Sequence, residues 1–393
     1  MRSTIFFCLP WELHLPGGVN EVVRNLLDQS RRSGDLEPTL LITDYAFAVP
    51  ASDSAGAQQT IRMRAVPVWN DGRPLRHLAT ALLRLPLNLL RLVSLLRRLR
   101  PRAVNVHYPS LSSLTLLWAL RIACPQARFV LSFHGLDLTE LERGASATRF
   151  WWRVLLRSAD AVTCCSQDLA QRLNVASGVR VCDVVAIHNG VDSTRLAAAV
   201  TANVPVPDMP QGPYIVNVGT FENKKGQDIL VRAFAKLRER RADLSLVIVG
   251  RSGPQLQLLR DLIAELRLSE CVDLREDLPH AQTLSMIRSA KVFALSSRQE
   301  PFGIVLLEAA YFSVPVVATR VGGVPEVVAD GVTGLLVPAE DPAALASAVE
   351  RVLDDTALAQ RIADNARRRT LSEFTWSQAF SRYRALMLPD ATT

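Results

Sequence analysis

Ser297-Arg298-Gln299-Glu300-Pro301-Phe302-Gly303-Ile304-Val305-Leu306-Leu307-Glu308-Ala309-Ala310 is the stretch from which the fold of this 393-residue chain can be read. The apolar run Val292-Phe293-Ala294-Leu295 before it is strand-like, and Leu306, Leu307, Ala309 and Ala310 around Glu308 suggest a buried helix. Pro301 suits a first helical position, where its missing N–H would have no partner in any case. Glu300 then sits in the loop at the helix mouth, and Glu308 lies about two turns further in. At about 1.5 Å rise per residue the two carboxylates are offset by roughly 10 Å along the axis. One extended ligand can touch both while presenting a diphosphate to the amides between them, because a helix start favours an anion. A carboxylate on a buried helix needs partners, which directs Glu308 toward a ligand.

Working outward, strand-like runs alternate with helical periods through both halves, the pattern of parallel α/β sheets. In the first half the strands are predicted at 4–9, 39–43, 103–107, 128–133, 159–164 and 183–187; in the second half at 214–218, 244–249, 272–274, 292–295 and 316–319. Between the halves, residues 201–213 carry four prolines and a glycine, the composition of a linker. The expectation is a domain over 1–204, a second over 212–373, and a helical stretch within 374–393. Two doubly wound, Rossmann-like sheets would carry ligands at the C-terminal ends of their strands, on a shared cleft.

The Glu300/Glu308 spacing resembles the E-x7-E motif of retaining glycosyltransferases of the GT-B fold, family 4. The resemblance continues in Val314-Pro315-Val316-Val317-Ala318-Thr319, Gly322-Gly323-Val324-Pro325-Glu326, Gly331-Val332-Thr333-Gly334 and Val218-Gly219-Thr220-Phe221-Glu222-Asn223-Lys224-Lys225-Gly226. It covers most of the second half. By this resemblance Glu300 contacts the transferred sugar and reaction centre, Glu308 accepts hydrogen bonds from ribose hydroxyls, and Lys225 is directed at the donor diphosphate. The backbone N–H groups of Phe302, Gly303, Ile304 and Val305 are candidates for diphosphate and sugar. Gly17 and Gly18, after the first strand, resemble the glycine-rich loop whose missing side chains let backbone approach phosphate. His134, in Phe133-His134-Gly135, resembles the active-site histidine beside the donor sugar. His107 also ends a strand and is an acceptor-side candidate. The final helical stretch would cross back onto the first domain.

One departure stands out. Thr220 occupies a position where the family commonly has arginine, so the usual Arg/Lys pair on the diphosphate is incomplete. Arg251, Arg298 and Lys224 are the candidates to replace that charge.

Bulk composition is that of a globular protein: 49% hydrophobic, 21% charged. No cleavable signal peptide is evident at 5–9 and no run offers a membrane span. The six cysteines have neither metal-site spacing nor a disulfide-rich pattern and read as buried thiols in a reducing compartment, hence the cytoplasm. The net charge of +7 is concentrated at Arg73–Arg102, which has eight arginines, His77 and no acidic residue. His77, Arg84, Arg91 and Arg98 recur every seven residues among leucines, with Pro86 expected to kink or restart the helix. Such a basic amphipathic segment reads as a contact for anionic lipid at the inner membrane face. Nucleic acid is not indicated, for aromatic interleaving is missing.

The combined expectation is a retaining transferase that moves a sugar from a nucleotide-diphosphate donor to a hydroxyl acceptor, lipid-linked or a growing glycan of envelope or exopolysaccharide. The resemblance implies no cofactor and no metal ion. The alternatives are a non-catalytic nucleotide-sugar-binding regulator or scaffold, and a sugar-nucleotide epimerase.

Overall fold

The computed structural model describes residues 2–15, 17–43, 51–53, 59–63, 75–178, 184–201 and 205–389. It divides into two compact units, Met1–His188 together with Trp376–Thr393, and Asn189–Thr375. The second unit therefore begins before the proline-rich segment that composition marks as the boundary. The reason is the helix Ser193–Thr201, which packs on the helices His280–Ser289 and Ile304–Tyr311 of the second unit.

In the first unit the strands are β1 (Ser3–Leu9), β2 (Leu36–Ile42), β3 (Ala51–Asp53), β4 (Gln59–Arg62), β5 (Ala103–His107), β6 (Arg128–Phe133), β7 (Ala161–Cys164) and β8 (Val184–Ala186). They lie in the order β3-β4-β2-β1-β5-β6-β7-β8, all pairs parallel except β3 with β4. The second unit holds β9 (Tyr214–Val218), β10 (Ser245–Gly250), β11 (Val272–Glu276), β12 (Val292–Leu295), β13 (Val316–Thr319) and β14 (Leu335–Val337), in the order β11-β10-β9-β12-β13-β14, all parallel. Both are Rossmann-like sheets with helices.

Strands β5, β7, β12 and β13 are buried at every position, as expected where helices cover both faces of a parallel sheet. In each unit the strand order reverses once, between β1 and β5 in the first and between β9 and β12 in the second. Open α/β sheets bind ligands at the C-terminal strand ends beside such a reversal.

The helix Leu75–Leu99 runs on through Pro86, which lies exposed within it, so the expected restart does not occur. One missing N–H is tolerated because the rest of the helix continues its own bonding and Leu92, Val93, Leu95 and Leu96 are buried. Arg73 and the side chains of His77 and Arg84 lie outside the described residues. Arg91, Arg97 and Arg98 are exposed, as are Leu87 and Leu90. Among the described residues no helix is long and apolar enough to cross a membrane. Cys8, Cys164 and Cys165 are buried free thiols and Cys124 and Cys271 are half-buried, while Cys182 lies outside the described residues.

The helix Trp376–Met387 belongs to the first unit. Arg384 pairs with Asp35 at 2.6 Å, holding that carboxyl down at about 2 through the guanidinium's hydrogen bonds. Tyr383 is buried and hydrogen-bonds toward Thr163 and Ser132.

Candidate functional site

The residues of the second unit meet at its strand reversal. After β9 the chain passes Gly219 and Thr220, buries Phe221, and forms a tight turn over Asn223–Lys225 that ends at Gly226 with φ +58°. After β12 it passes Ser296 and Ser297 to Glu300. These two loops are stapled together by backbone. Arg298 and Gln299 N–H both donate to Lys224 O, at 2.8 and 3.1 Å, and Ser296 Oγ donates to Lys225 O at 3.2 Å. Gly226 lies so close to the Ser296 carbonyl that a methyl group would collide with it. The staple brings Lys225 Nζ to 2.6 Å from Glu300 Oε2, in an ion pair whose side chains are only 19% and 8% exposed.

Glu300 is held from behind as well. Gly323 N–H donates to its carbonyl at 3.0 Å, and Gly322, at φ +52°, lies flush against the same oxygen. Gly322 thus has a mechanical reason to be glycine: close approach and a left-handed backbone.

The helix after Glu300 runs from Ile304 to Tyr311, not from Pro301. Gly303, at φ +93°, precedes it as its cap, and a left-handed residue interrupts any helix begun at Pro301. Glu308 therefore lies about one turn into the helix, and the two-turn offset does not apply. Phe302 is buried, its ring edge-on to Phe374, and Gly303 is buried beside Leu306, whereas Ile304 and Val305 are half-buried at the helix start. Leu306, Leu307, Ala309 and Ala310 form the buried side of the helix. Glu308 Oε1 accepts from His280 Nε2 at 2.8 Å, and His280 Nδ1 faces Arg195 Nη2 at 3.1 Å. Neither His280 nor Arg195 is singled out by the sequence, because their partners lie 28 and 85 positions away.

The three cations considered as replacements for the missing arginine separate cleanly. Arg298 forms a two-pronged pair with Asp228, at 2.7 and 2.8 Å, and also pairs with Glu340 and Asn223. Asp228 is the main influence raising its pKa further. Lys224 pairs with Glu222 at 2.5 Å. Arg251 is exposed and sits in the loop laid against Thr220: Phe221 N–H donates to Arg251 O at 3.0 Å, and Gly250 abuts the Gly219 carbonyl.

In the first unit Gly17 and Gly18 are exposed at the start of the helix Gly18–Arg32, directly after β1. Asn20 ties that loop by donating to the carbonyls of Glu12 and Leu15 and accepting from Trp11 Nε1 at 2.7 Å. His107 ends β5 and is fully buried, its Nδ1 3.0 Å from His134 Nε2. Burial pushes the His134 imidazolium down to about 3, and burial with the neighbouring His134 holds His107 well below its ordinary value. Both rings are neutral at physiological pH. Asp137 accepts from the N–H groups of His134 and Gly135, at 2.8 and 2.7 Å, which fixes the turn after β6. Its carboxyl is nevertheless pushed up to about 7 by burial.

Residues 206–369 match the family model described as glycosyl transferases group 1, and residues 16–195 match that of glycosyltransferase family 4. A GDP-mannose-dependent alpha-(1-6)-phosphatidylinositol monomannoside mannosyltransferase of Mycolicibacterium smegmatis is 31% identical over 293 residues, 72% of this chain and 76% of that relative. The chain belongs to glycosyltransferase family 4. The glycogen synthase of Mycobacterium tuberculosis is 33% identical over 236 residues, 60% of this chain and 55% of the relative, so the chain spans little more than half its length. Among solved structures, sucrose-phosphate synthase from Thermosynechococcus elongatus superimposes with a TM-score of 0.75 at 24% identity, covering 99% of this chain and 100% of that one. The two Rossmann-like units are those of a GT-B fold.

Proposed function

We propose that the chain is a retaining glycosyltransferase that takes a nucleotide-diphosphate sugar on its second unit and transfers the sugar to a hydroxyl acceptor. The observation that carries this reading is the Lys225–Glu300 pair, set at the strand reversal with Glu308 on the following helix. A diphosphate competes with Glu300 for the Lys225 ammonium. Once Lys225 turns to phosphate, Glu300 is left with acceptor capacity for a sugar hydroxyl, and Glu308 with capacity for a ribose hydroxyl. Charge building on the departing diphosphate is held by Lys225 and by the amides at the helix start around Ile304 and Val305. The leaving phosphate takes the proton of the attacking hydroxyl, which places the new bond on the face that the old one left. Glu300, Lys225 and His134 carry the chemistry in this reading, Gly17, Gly18, Thr220 and Arg251 assist with the donor, and His107 lies on the acceptor side. No metal is required.

The exposed Leu87 and Leu90 beside exposed Arg91, Arg97 and Arg98 support a peripheral contact of the first unit with anionic lipid, and with it a lipid-linked or growing-glycan acceptor. Sedimentation with phosphatidylglycerol vesicles, against phosphatidylcholine controls, tests that part. Retention of Leu87→Ser/Leu90→Ser by the anionic vesicles at wild-type level would remove it.

The donor reading is tested by a thermal-shift panel of nucleotide sugars and free nucleotides, with Glu308→Ala alongside. A ligand at a hundred times its dissociation constant adds about 2.7 kcal/mol of stability. A shift with one donor that vanishes in the variant supports the reading. Donor binding without turnover favours the regulatory alternative that Thr220 suggests, and a wild-type protein indifferent to every donor contradicts both.

A further inference from the structure

We propose that Arg195 and His280 form a relay that positions Glu308 for the nucleotide. The inference rests on the donor reading above and adds two residues to that site. The three side chains come from three elements of the second unit: Arg195 from the helix Ser193–Thr201, His280 from the first position of His280–Ser289, and Glu308 from Ile304–Tyr311. Arg195 Nη2 lies 3.1 Å from His280 Nδ1, and His280 Nε2 lies 2.8 Å from Glu308 Oε1.

The chemistry of the three groups fixes the direction of each bond. A guanidinium has donors only and does not lose its proton in proteins, so His280 Nδ1 must accept. The ring then carries its hydrogen on Nε2, which donates to the Glu308 carboxylate. The arginine thus selects one neutral tautomer of the histidine, the function that an orienting partner performs for a ring nitrogen. One carboxylate oxygen of Glu308 is held, and the other, Oε2, makes no hydrogen bond among the described residues. A carboxylate fixed at one oxygen and open at the other is prepared for a hydroxyl donor.

A second link supports the same arrangement. Tyr311, one turn beyond Glu308, donates through its hydroxyl to Ser193 O at 3.2 Å. The helix Ser193–Thr201 therefore grips the Glu308 helix twice, once through Tyr311 and once through the Arg195–His280 relay. His280 is 39% exposed against 13% for Glu308, so the ring stands at the mouth of the carboxylate's surroundings and not beneath it.

The test uses the full chain and three probes: UDP, GDP and inorganic pyrophosphate, the last lacking a ribose. Calorimetric affinities are measured for the wild type, Glu308→Gln, His280→Leu, His280→Gln and Arg195→Met, with donor KM and kcat for any donor found. His280→Leu is expected to weaken the bound nucleoside diphosphate about tenfold, the loss of one hydrogen bond to a charged group, and to leave pyrophosphate unchanged. Donor KM rises while kcat holds. His280→Gln, whose amide N–H replaces Nε2–H, recovers most of the affinity, and Arg195→Met falls between. If Glu308→Gln loses the nucleotide while His280→Leu binds it as the wild type does, the relay is refuted and the donor site stands. If the wild type binds no nucleoside diphosphate or nucleotide sugar of the donor panel, the donor reading falls and the relay with it. Equal weakening of pyrophosphate and nucleotide by His280→Leu, with no recovery in His280→Gln, refutes positioning and indicates a general structural loss.

Discussion

Lys225 Nζ and Glu300 Oε2 are 2.6 Å apart, and the pair is sealed by Ser297, whose Oγ lies 3.4 Å from the same oxygen. Removing one partner of a poorly exposed pair strands the other charge, which costs more than removing both. Lys225→Ala is therefore expected to lower stability by about 1–3 kcal/mol, the desolvation penalty of the stranded group, and to abolish transfer. In Lys225→Ala/Glu300→Ala part of that stability should return while transfer stays absent. Urea denaturation of the four proteins in the cycle measures the coupling, and strictly additive losses would contradict it.

Arg251 and Arg298 should behave differently when removed. Arg298 is committed to Asp228, Glu340 and Asn223, so Arg298→Ala should reduce stability first. Arg251 borders Thr220 in the adjoining loop, and Arg251→Ala should lower diphosphate affinity by about tenfold. Thr220→Arg in the Arg251→Ala background should then recover binding. Pyrophosphate titrations across these variants decide the matter, and a normal affinity in Arg251→Ala would exclude it as the replacement cation.

Gly322 cannot gain a side chain without disturbing Glu300. Its φ of +52° is unfavourable for other residues, and a methyl group would meet the Glu300 carbonyl. Gly322→Ala is expected to cost about 1–3 kcal/mol and to reduce turnover more than Gly331→Ala, where the added carbon meets open space. Comparing the two variants for melting temperature and activity separates backbone strain, common to both, from displacement of Glu300.

The titratable groups at the C-terminal ends of β5 and β6 give the first unit a defined pH dependence. His107 and His134 bind fewer protons folded than unfolded, so their contribution is complete above about pH 6.5 and drains as pH falls. Asp137 acts oppositely: its carboxyl, raised to about 7 from 3.8, contributes at low pH and loses that contribution as pH rises toward 7. The two effects oppose one another between roughly pH 4 and 6.5. Asp137→Asn removes the opposing group, so stability should fall more steeply on acidification, by about 1.4 kcal/mol per pH unit. Denaturation at several pH values between 4.5 and 6 reads that slope, and an unchanged slope would show that Asp137 does not hold its proton.

The legibility of the chain followed burial. Strands β5, β6, β9, β12 and β13 have the bounds read from sequence, because apolar runs buried on both faces admit little else. The short strands β3, β4 and β14 are not legible in the sequence, since three or four residues at a sheet's flank carry little pattern. Pro301 offers a local rule for a helix start after Glu300, yet the helix begins three residues later, because Gly303, packed beside Leu306, adopts a left-handed conformation that no local rule marks. Within the site, Glu300, Glu308 and Lys225 were visible as motif members. Their partners were not: His280 reaches Glu308 across 28 positions, and nothing local marks it. The engagement of Arg298 with Asp228 across 70 positions was equally invisible.

The helix Trp376–Met387 comes after the whole second unit in the chain yet completes the first, placing Tyr383 beside the His107 ring and Arg384 on Asp35. Domains generally fold as units during synthesis, N-terminal first, but here the first-made sheet lacks a buried element until the helix Trp376–Met387 has been translated. The contiguous second unit can close before the discontinuous first one does. Vectorial synthesis thus delivers the second unit early and leaves the first unfinished until this helix emerges, exposed meanwhile to proteases and chaperones. A fragment ending near His188 would be arrested at that same incomplete stage.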